Sequence, residues 1–112
     1  MKWFAVNFIY RVTCGEGIHS PQFNEQIRLI TAETIIAAIN KARVLALSYN
    51  SSFKNCMGEK VIYDFIDVAG ISEIEFPTDG VEVSSKVLEP ESVEAYLKKL
   101  RYRVTILTKL NK

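Results

Sequence analysis

The stretch that decides the fold is residues 1–13, Met-Lys-Trp-Phe-Ala-Val-Asn-Phe-Ile-Tyr-Arg-Val-Thr. Aromatic and aliphatic side chains alternate in it, which is typical of a β-strand because successive side chains point to opposite faces of a sheet. One face is apolar throughout and is predicted to lie in the core; it comprises Phe4, Val6, Phe8, Tyr10 and Val12. The other face is mixed and comprises Trp3, Ala5, Asn7, Ile9 and Arg11. We expect function to reside on the mixed face.

Length and composition favour an ordinary globular protein. The 112 residues, 48% hydrophobic and 24% charged, predict a single domain over residues 1–112 with a core that needs no metal or disulfide. No run reaches the roughly 18 apolar residues that span a bilayer. Cys14 and Cys56 fit a reducing compartment. We therefore expect a cytoplasmic protein that does not bind membranes.

Charge is unevenly distributed although the net charge is only +1. Residues 59–94 carry ten acidic residues and two basic ones, whereas residues 95–112 carry six basic residues and no acidic one. One interpretation is that the two segments neutralise each other on one folded surface. The other is that the basic C-terminal segment binds nucleic acid or an acidic partner.

A second strand is predicted at residues 23–31, after a loop with two glycines and a proline. Phe23, Ile27 and Leu29 share a face with Glu25, and we expect that face to join the core. The core-facing residues of the two strands must then lie on the same side of the sheet, so even positions of the first strand should oppose odd positions of the second. This parity pairs Tyr10 with Glu25 and Asn7 with Arg28, or differs from that register by two residues.

The remaining elements follow from periodicity and turn signals. Thr34 is a good N-cap for a helix over residues 35–49, with apolar residues at three- and four-residue spacing. Strands are predicted at residues 61–68, 71–76 and 81–87, the last two joined by an Asp79-Gly80 turn. A short helix over 90–100 and a strand over 102–107 complete the chain. The fold class is α+β, with a mostly antiparallel sheet in the order β-β-α-β-β-β-α-β and one long helix packed on one face.

Several stretches together resemble a small uncharacterised bacterial family, a domain of unknown function. The first two are the Trp3-Phe4 opening of the first strand and residues 23–30 (Phe-Asn-Glu-Gln-Ile-Arg-Leu-Ile), which run into Ala32-Glu33 and an Ala/Lys helix around residues 38–42. The later ones are residues 63–68 (Tyr-Asp-Phe-Ile-Asp-Val) and 79–84 (Asp-Gly-Val-Glu-Val-Ser). The resemblance covers roughly residues 3–85 and leaves out the C-terminal helix and strand. It implies a compact domain and no particular activity.

Catalytic signals are weak. Glu25 is expected on the core face near Tyr10, where it is either a structural hydrogen-bonding group or a base with a raised pKa. His19 shares a glycine-rich loop with Cys14 and Ser20, but no third group orients it as a catalytic base. The cysteines and the histidine lack paired metal-ligand spacing. We therefore predict no catalytic residue, no metal and no cofactor.

The mixed face of the first hairpin is the candidate binding site. The parity above places five residues there that combine buried area with directed hydrogen bonds: Trp3, Asn7, Arg11, Gln26 and Arg28. The alternative is that the second helix covers this face and leaves Trp3 in a minor core. An exposed face implies a second copy of the chain or another protein as the partner.

These observations favour a non-enzymatic binding module of the bacterial cytoplasm, homodimeric or bound to another protein, of which an immunity-type or antitoxin-like protein is one form. The alternative is a small nucleic-acid-associated protein. That function would use the aromatic and basic side chains near the C-terminus: Tyr96, Lys98, Lys99, Arg101, Tyr102 and Arg103.

Overall fold

The computed structural model describes residues 1–109 and is an α+β fold. The elements are β1 (Lys2–Cys14), β2 (Gln22–Ala32), α1 (Ile35–Leu47), β3 (Ser51–Lys54), β4 (Lys60–Ile74) and α2 (Val93–Lys109). The four strands form one antiparallel sheet in the order β2-β1-β4-β3. The predicted fold class is confirmed. Lys112, the last base of the predicted C-terminal segment, lies outside the described residues.

The core lies between the sheet and α1. Phe4, Val6, Phe8 and Tyr10 of β1 are fully buried, which confirms the predicted core face of the opening strand. The inner face of α1 is made of small residues one turn apart, Ala38, Ala42 and Ala46, all fully buried. Ile35 and Ile36 belong to the apolar spacing that predicted this helix, but both are exposed. The small alanines allow the helix to lie close to the large side chains of β1.

Side chains form hydrogen bonds with backbone groups at both ends of α1. The Thr34 hydroxyl accepts the Ala37 N–H at 3.1 Å, which confirms the predicted N-cap. At the other end, the buried Tyr10 hydroxyl donates to the Ala46 carbonyl at 2.8 Å. The Ala46 carbonyl also accepts the Tyr49 N–H at 3.1 Å. The tyrosine hydroxyl thus adds a second donor to a carbonyl in the last turn, where helical N–H donors run out.

The predicted parity of the first hairpin is wrong. Phe8 lies opposite Gln26 and Asn7 opposite Ile27, so even positions of β1 pair with even positions of β2. The residues that join the core from β2 are Ile30 and Ala32, immediately before α1. Because side chains alternate along a strand, the burial of Ile30 and Ala32 places the even positions of β2 on the side that α1 covers.

The predicted strands 61–68 and 71–76 are one strand, β4. Two register shifts, between Asn7 and Phe8 and between Ile9 and Tyr10 on the β1 side, keep it paired along its length. The predicted loop at 50–58 contains a short strand, β3. Residues 81–87 form no ladder, although Asp79-Gly80 does make a turn, with the Val81 N–H bonded to the Thr78 carbonyl at 3.2 Å.

The predicted final strand 102–107 is wrong, because these residues continue helix α2. The alternation that suggested a strand is brief, and the apolar spacing from Leu97 through Leu107 also fits a helix. Ser92 caps the helix, since its hydroxyl accepts the Ala95 N–H at 3.1 Å. The observed element order is therefore β-β-α-β-β-α. Neither helix described here is long and apolar enough to cross a membrane.

Candidate functional site: the open face of the sheet

The face of the sheet that points away from α1 carries the candidate site, and we call it the open face. In an antiparallel pair, residues directly opposite each other project to the same side. The open face is therefore formed by the odd positions of both hairpin strands; on β1 and β2 it comprises Trp3, Ala5, Asn7, Ile9, Arg11, Phe23, Glu25, Ile27, Leu29 and Thr31.

Three of the five predicted site residues lie on the open face. Trp3 and Asn7 are half-buried there, and Arg11 is exposed opposite Asp64 of β4. Gln26 and Arg28 lie on the α1 side instead, opposite Phe8 and Val6. The correction follows directly from the parity of the hairpin.

Gln26 and Arg28 have a structural setting of their own. The Arg28 guanidinium carbon lies 3.7 Å from the centre of the Tyr49 ring, just beyond the end of α1. The Arg28 Nε donates to the Gln26 side-chain carbonyl at 3.0 Å, and the Gln26 amide donates to Asn24 at 2.6 Å. The polar side chains of β2 thus satisfy one another and close the edge of the core.

Glu25 is exposed on the open face opposite Ile9, so its expected burial beside Tyr10 is wrong. His19 lies in the exposed loop between β1 and β2. Its Nε2 accepts the Cys14 N–H at 3.0 Å, which leaves the proton on Nδ1 to donate to the Ser20 carbonyl at 2.7 Å. His19 therefore stabilises the loop through hydrogen bonds between both ring nitrogens and backbone groups.

One end of the open face is covered by the chain that follows β4. The Trp3 and Phe76 rings meet edge to face with their centroids 6.2 Å apart. Residues 80–85 then run beside β4 and enclose a groove of about 600 Å³. Its floor includes buried Ala5 and half-buried Asn7, and Asn7 packs beneath Gly70. The residues that line it include two acidic ones, Glu75 and Glu82.

The β2 side of the open face is uncovered. Along β2, Phe23, Ile27 and Leu29 are 57%, 47% and 41% exposed. Helix α2 does not cover them, since no Cα of α2 lies within 8 Å of any strand or of α1. The alternative that the second helix buries this face is thus wrong for the chain as the structure describes it. The sequence signal for these residues was the end of β2, where Ile30 and Ala32 precede α1 and leave the odd positions outside.

The described residues show neither a metal-binding cluster nor a disulfide. No group of three or more histidine, cysteine or carboxylate side chains within residues 1–109 could hold a metal ion. Cys14 and Cys56 are free thiols.

Comparison with known proteins gives one match. A family described as a domain of unknown function, DUF4288, matches residues 3–85, the range in which the sequence resemblance was recognised. The match includes the whole sheet and α1 and ends before α2. No curated protein and no solved structure matches the chain.

Proposed function

The chain belongs to the DUF4288 family, a domain of unknown function, and we propose that it is a non-enzymatic binding module that acts through the open face. We propose further that its partner on this face is a second copy of the chain. We propose the bacterial cytoplasm as its location, because its two free thiols are typical of a reducing compartment.

The observation that carries this proposal is the exposed apolar row on β2. Phe23, Ile27 and Leu29 lie on one side of β2, with Glu25 between Phe23 and Ile27. Ile9 of β1 lies opposite Glu25. Single exposed apolar side chains are common on proteins, but several of them grouped on one face of a sheet are typical of an interaction surface. Trp3 and Arg11 extend the row with the side-chain types that are enriched in interfaces.

The local chemistry also favours binding over catalysis. Both ring nitrogens of His19 are bonded to backbone groups, so the ring is held as part of a loop. Glu25 is exposed on an edge strand and does not lie in a cavity. These features support binding rather than catalysis, because the apolar side chains of the open face carry no catalytic group.

The test is the mass of the protein in solution by light scattering across a concentration series. We expect a dimer for the wild type and a shift toward the monomer for Leu29→Asp, because a carboxylate placed in an apolar interface loses its hydration. Val44→Asp is the matched control, since Val44 is 74% exposed on the outer side of α1. A Leu29→Asp protein that keeps the wild-type mass at every concentration would contradict the proposal.

A second candidate function is nucleic-acid binding by α2. Every described residue of α2 is exposed, and four bases lie within six positions, Lys98, Lys99, Arg101 and Arg103. If these bases contact phosphates, the affinity for a short duplex should fall steeply with salt, and Lys98→Gln with Lys99→Gln should flatten that slope. An affinity that does not change with salt would reject this candidate.

A further inference from the structure

Helix α2 presents an apolar stripe that the described chain leaves without a partner. The stripe has alternating four- and three-residue spacing and consists of Val93, Leu97, Leu100, Val104 and Leu107. This spacing holds the side chains on one side of the helix, as in helices that pack along a seam. Leu97 and Leu100 are nevertheless 36% and 37% exposed.

The helix also stands clear of the rest of the fold. No Cα of α2 lies within 8 Å of a strand or of α1. In proteins most of the stability of a helix comes from the packing of its amphipathic face. An amphipathic helix with no surface beneath it, in a chain whose sheet has an uncovered apolar face, indicates that the two surfaces are complementary.

The chain exposes more surface than a compact monomer would, and the excess is large enough for such a pairing. The chain exposes 8941 Å², whereas a compact monomer of this mass exposes roughly 6,200 Å². Its radius of gyration is 17.8 Å, against about 13 Å for a compact domain of this length. The excess is on the order of 2,700 Å² per chain, or about 5,400 Å² for two chains, which is at the upper end of the total area that obligate dimers bury.

Charge supports the same pairing. Along α2 five bases accompany one acid, Glu94. The open face offers Glu25 and Asp64 in addition to Arg11, and the adjoining segment 75–91 carries five acids and one base. A basic helix laid on the open face therefore meets opposite charge at the rim of an apolar centre, an arrangement that favours association and fixes orientation.

We infer that α2 of one copy packs its apolar stripe on the open face of a second copy, and that the second copy returns its own α2 in the same way. This inference rests on the proposed function, because it takes the open face as the binding surface and names what fills it. Reciprocal exchange is a closed two-fold arrangement in which each copy supplies one helix and one sheet. It buries both unpartnered surfaces at once and needs no other molecule.

The experiment uses three variants of the full chain, each checked by circular dichroism for a folded sheet. The helix variant is Leu97→Asp with Leu100→Asp, and the face variant is Leu29→Asp. The control is Tyr102→Asp with Ile106→Asp, which makes the same charge change on the opposite side of α2. We expect the helix and face variants to raise the dimer dissociation constant by roughly a hundredfold and the control to leave it unchanged.

Mixing the helix variant with a tagged face variant is the decisive measurement. In an exchanged dimer the intact α2 of the face variant can still pack on the intact open face of the helix variant. One interface of the two is then restored, so we expect a mixed dimer, weaker than the wild type, although each variant alone is monomeric.

Each other outcome overturns the exchange. A helix variant that stays dimeric while the face variant dissociates would mean that two open faces pair, which leaves the proposed function standing. A face variant that stays dimeric would reject the proposed function as well. A mixture that remains monomeric, a wild type that is monomeric with α2 folded onto its own sheet, or a dimer that disappears on nuclease treatment would each reject the exchange.

Discussion

Tyr10 joins the two parts of the core through a single hydroxyl. Its ring is buried among the β1 and β4 side chains, 5.5 Å from the centroid of Phe65, and its hydroxyl donates to the Ala46 carbonyl of α1 at 2.8 Å. Burial raises the pKa of the Tyr10 phenol, with Arg28 acting in the opposite direction. The folded protein therefore holds this residue in its neutral, donating form.

Replacing Tyr10 by Phe removes that bond and leaves a buried carbonyl with one partner fewer. We expect a loss of about 1 kcal/mol in the free energy of unfolding, or about 4–8 °C in Tm, measured by thermal denaturation at pH 7. Because the pKa is raised in the folded state, the wild type should also lose stability as the pH rises above 10.0 and through the folded value. Tyr10→Phe should lack that part of the loss, and Tyr102→Phe on exposed α2 should behave as the wild type.

Arg28 lies on the α1 side of the sheet, so its removal should affect stability and not association. Arg28→Ala loses the stacking on Tyr49 and the bond to Gln26, and we expect a loss of about 0.5–1 kcal/mol in unfolding free energy. The dimer dissociation constant should not change. A variant with normal Tm and weakened association would instead place binding on the α1 side.

The residues of the candidate site show what the sequence could and could not predict. Trp3, Asn7 and Arg11 were predictable, because β1 alternates cleanly and its apolar face is unambiguous. Gln26 and Arg28 were not, because β2 has apolar side chains at odd positions and only two, Ile30 and Ala32, at even positions. On an edge strand the apolar count does not decide which side is buried, and the position of the next helix does.

At the scale of elements, α1 is fitted to the sheet by three alanines one turn apart. A larger side chain at the middle position would have to displace the aromatic side chains of β1 beneath it. We expect Ala42→Leu to lower the unfolding free energy by about 1–3 kcal/mol in urea denaturation. Val44→Leu, on the exposed side of the same helix, should change it by less than about 0.5 kcal/mol.

A second tie between α1 and the sheet depends on pH. The Val68 N–H, bonded to Asp67 at 2.7 Å, lowers the pKa of that carboxyl, and Arg43 of α1, 3.1 Å away, lowers it further. Because the pKa of Asp67 is lower in the folded than in the unfolded state, its carboxylate stabilises the protein at pH values above the unfolded-state pKa. This stabilisation is lost as the pH falls through the folded-state pKa. Asp67→Asn should therefore flatten the acid limb of a stability profile measured between pH 6 and pH 2.

Arg43→Gln separates the two causes of that shift. It keeps the Val68 bond, which is the larger cause, so it should flatten the acid limb less than Asp67→Asn does. An equal effect of the two substitutions would mean that the ion pair alone carries the pH dependence.

Elements with one dominant period were predicted correctly, and elements with two were not. α1 and β1 each show a single period, whereas residues 102–107 fit both a strand and a helix. β4 was predicted as two strands, yet the paired backbone continues through residues 69–70 with shifted register. The lack of a ladder at 81–87 depends on where the chain lies relative to the sheet, which local sequence does not encode.

At the scale of the whole molecule, one helix covers one face of a four-stranded sheet and the opposite face is left half open. The matched family range, residues 3–85, contains this half-covered sheet, and α2 lies beyond it. A single chain thus carries an apolar sheet face and an apolar helix stripe that it does not bring together. Because burial of such surface is the main source of stability, folding and association should be coupled in this protein.

This coupling predicts that Tm depends on protein concentration. If the native state is a dimer and the unfolded state is single chains, each tenfold increase in concentration favours the folded dimer by about 1.4 kcal/mol. For a dimer of this size that corresponds to a rise of about 3 °C in Tm. Leu29→Asp should melt at one temperature whatever its concentration, since its native state has lost the interface. A wild-type Tm that does not change over a hundredfold range would mean that the sheet and α1 are stable without a partner on the open face.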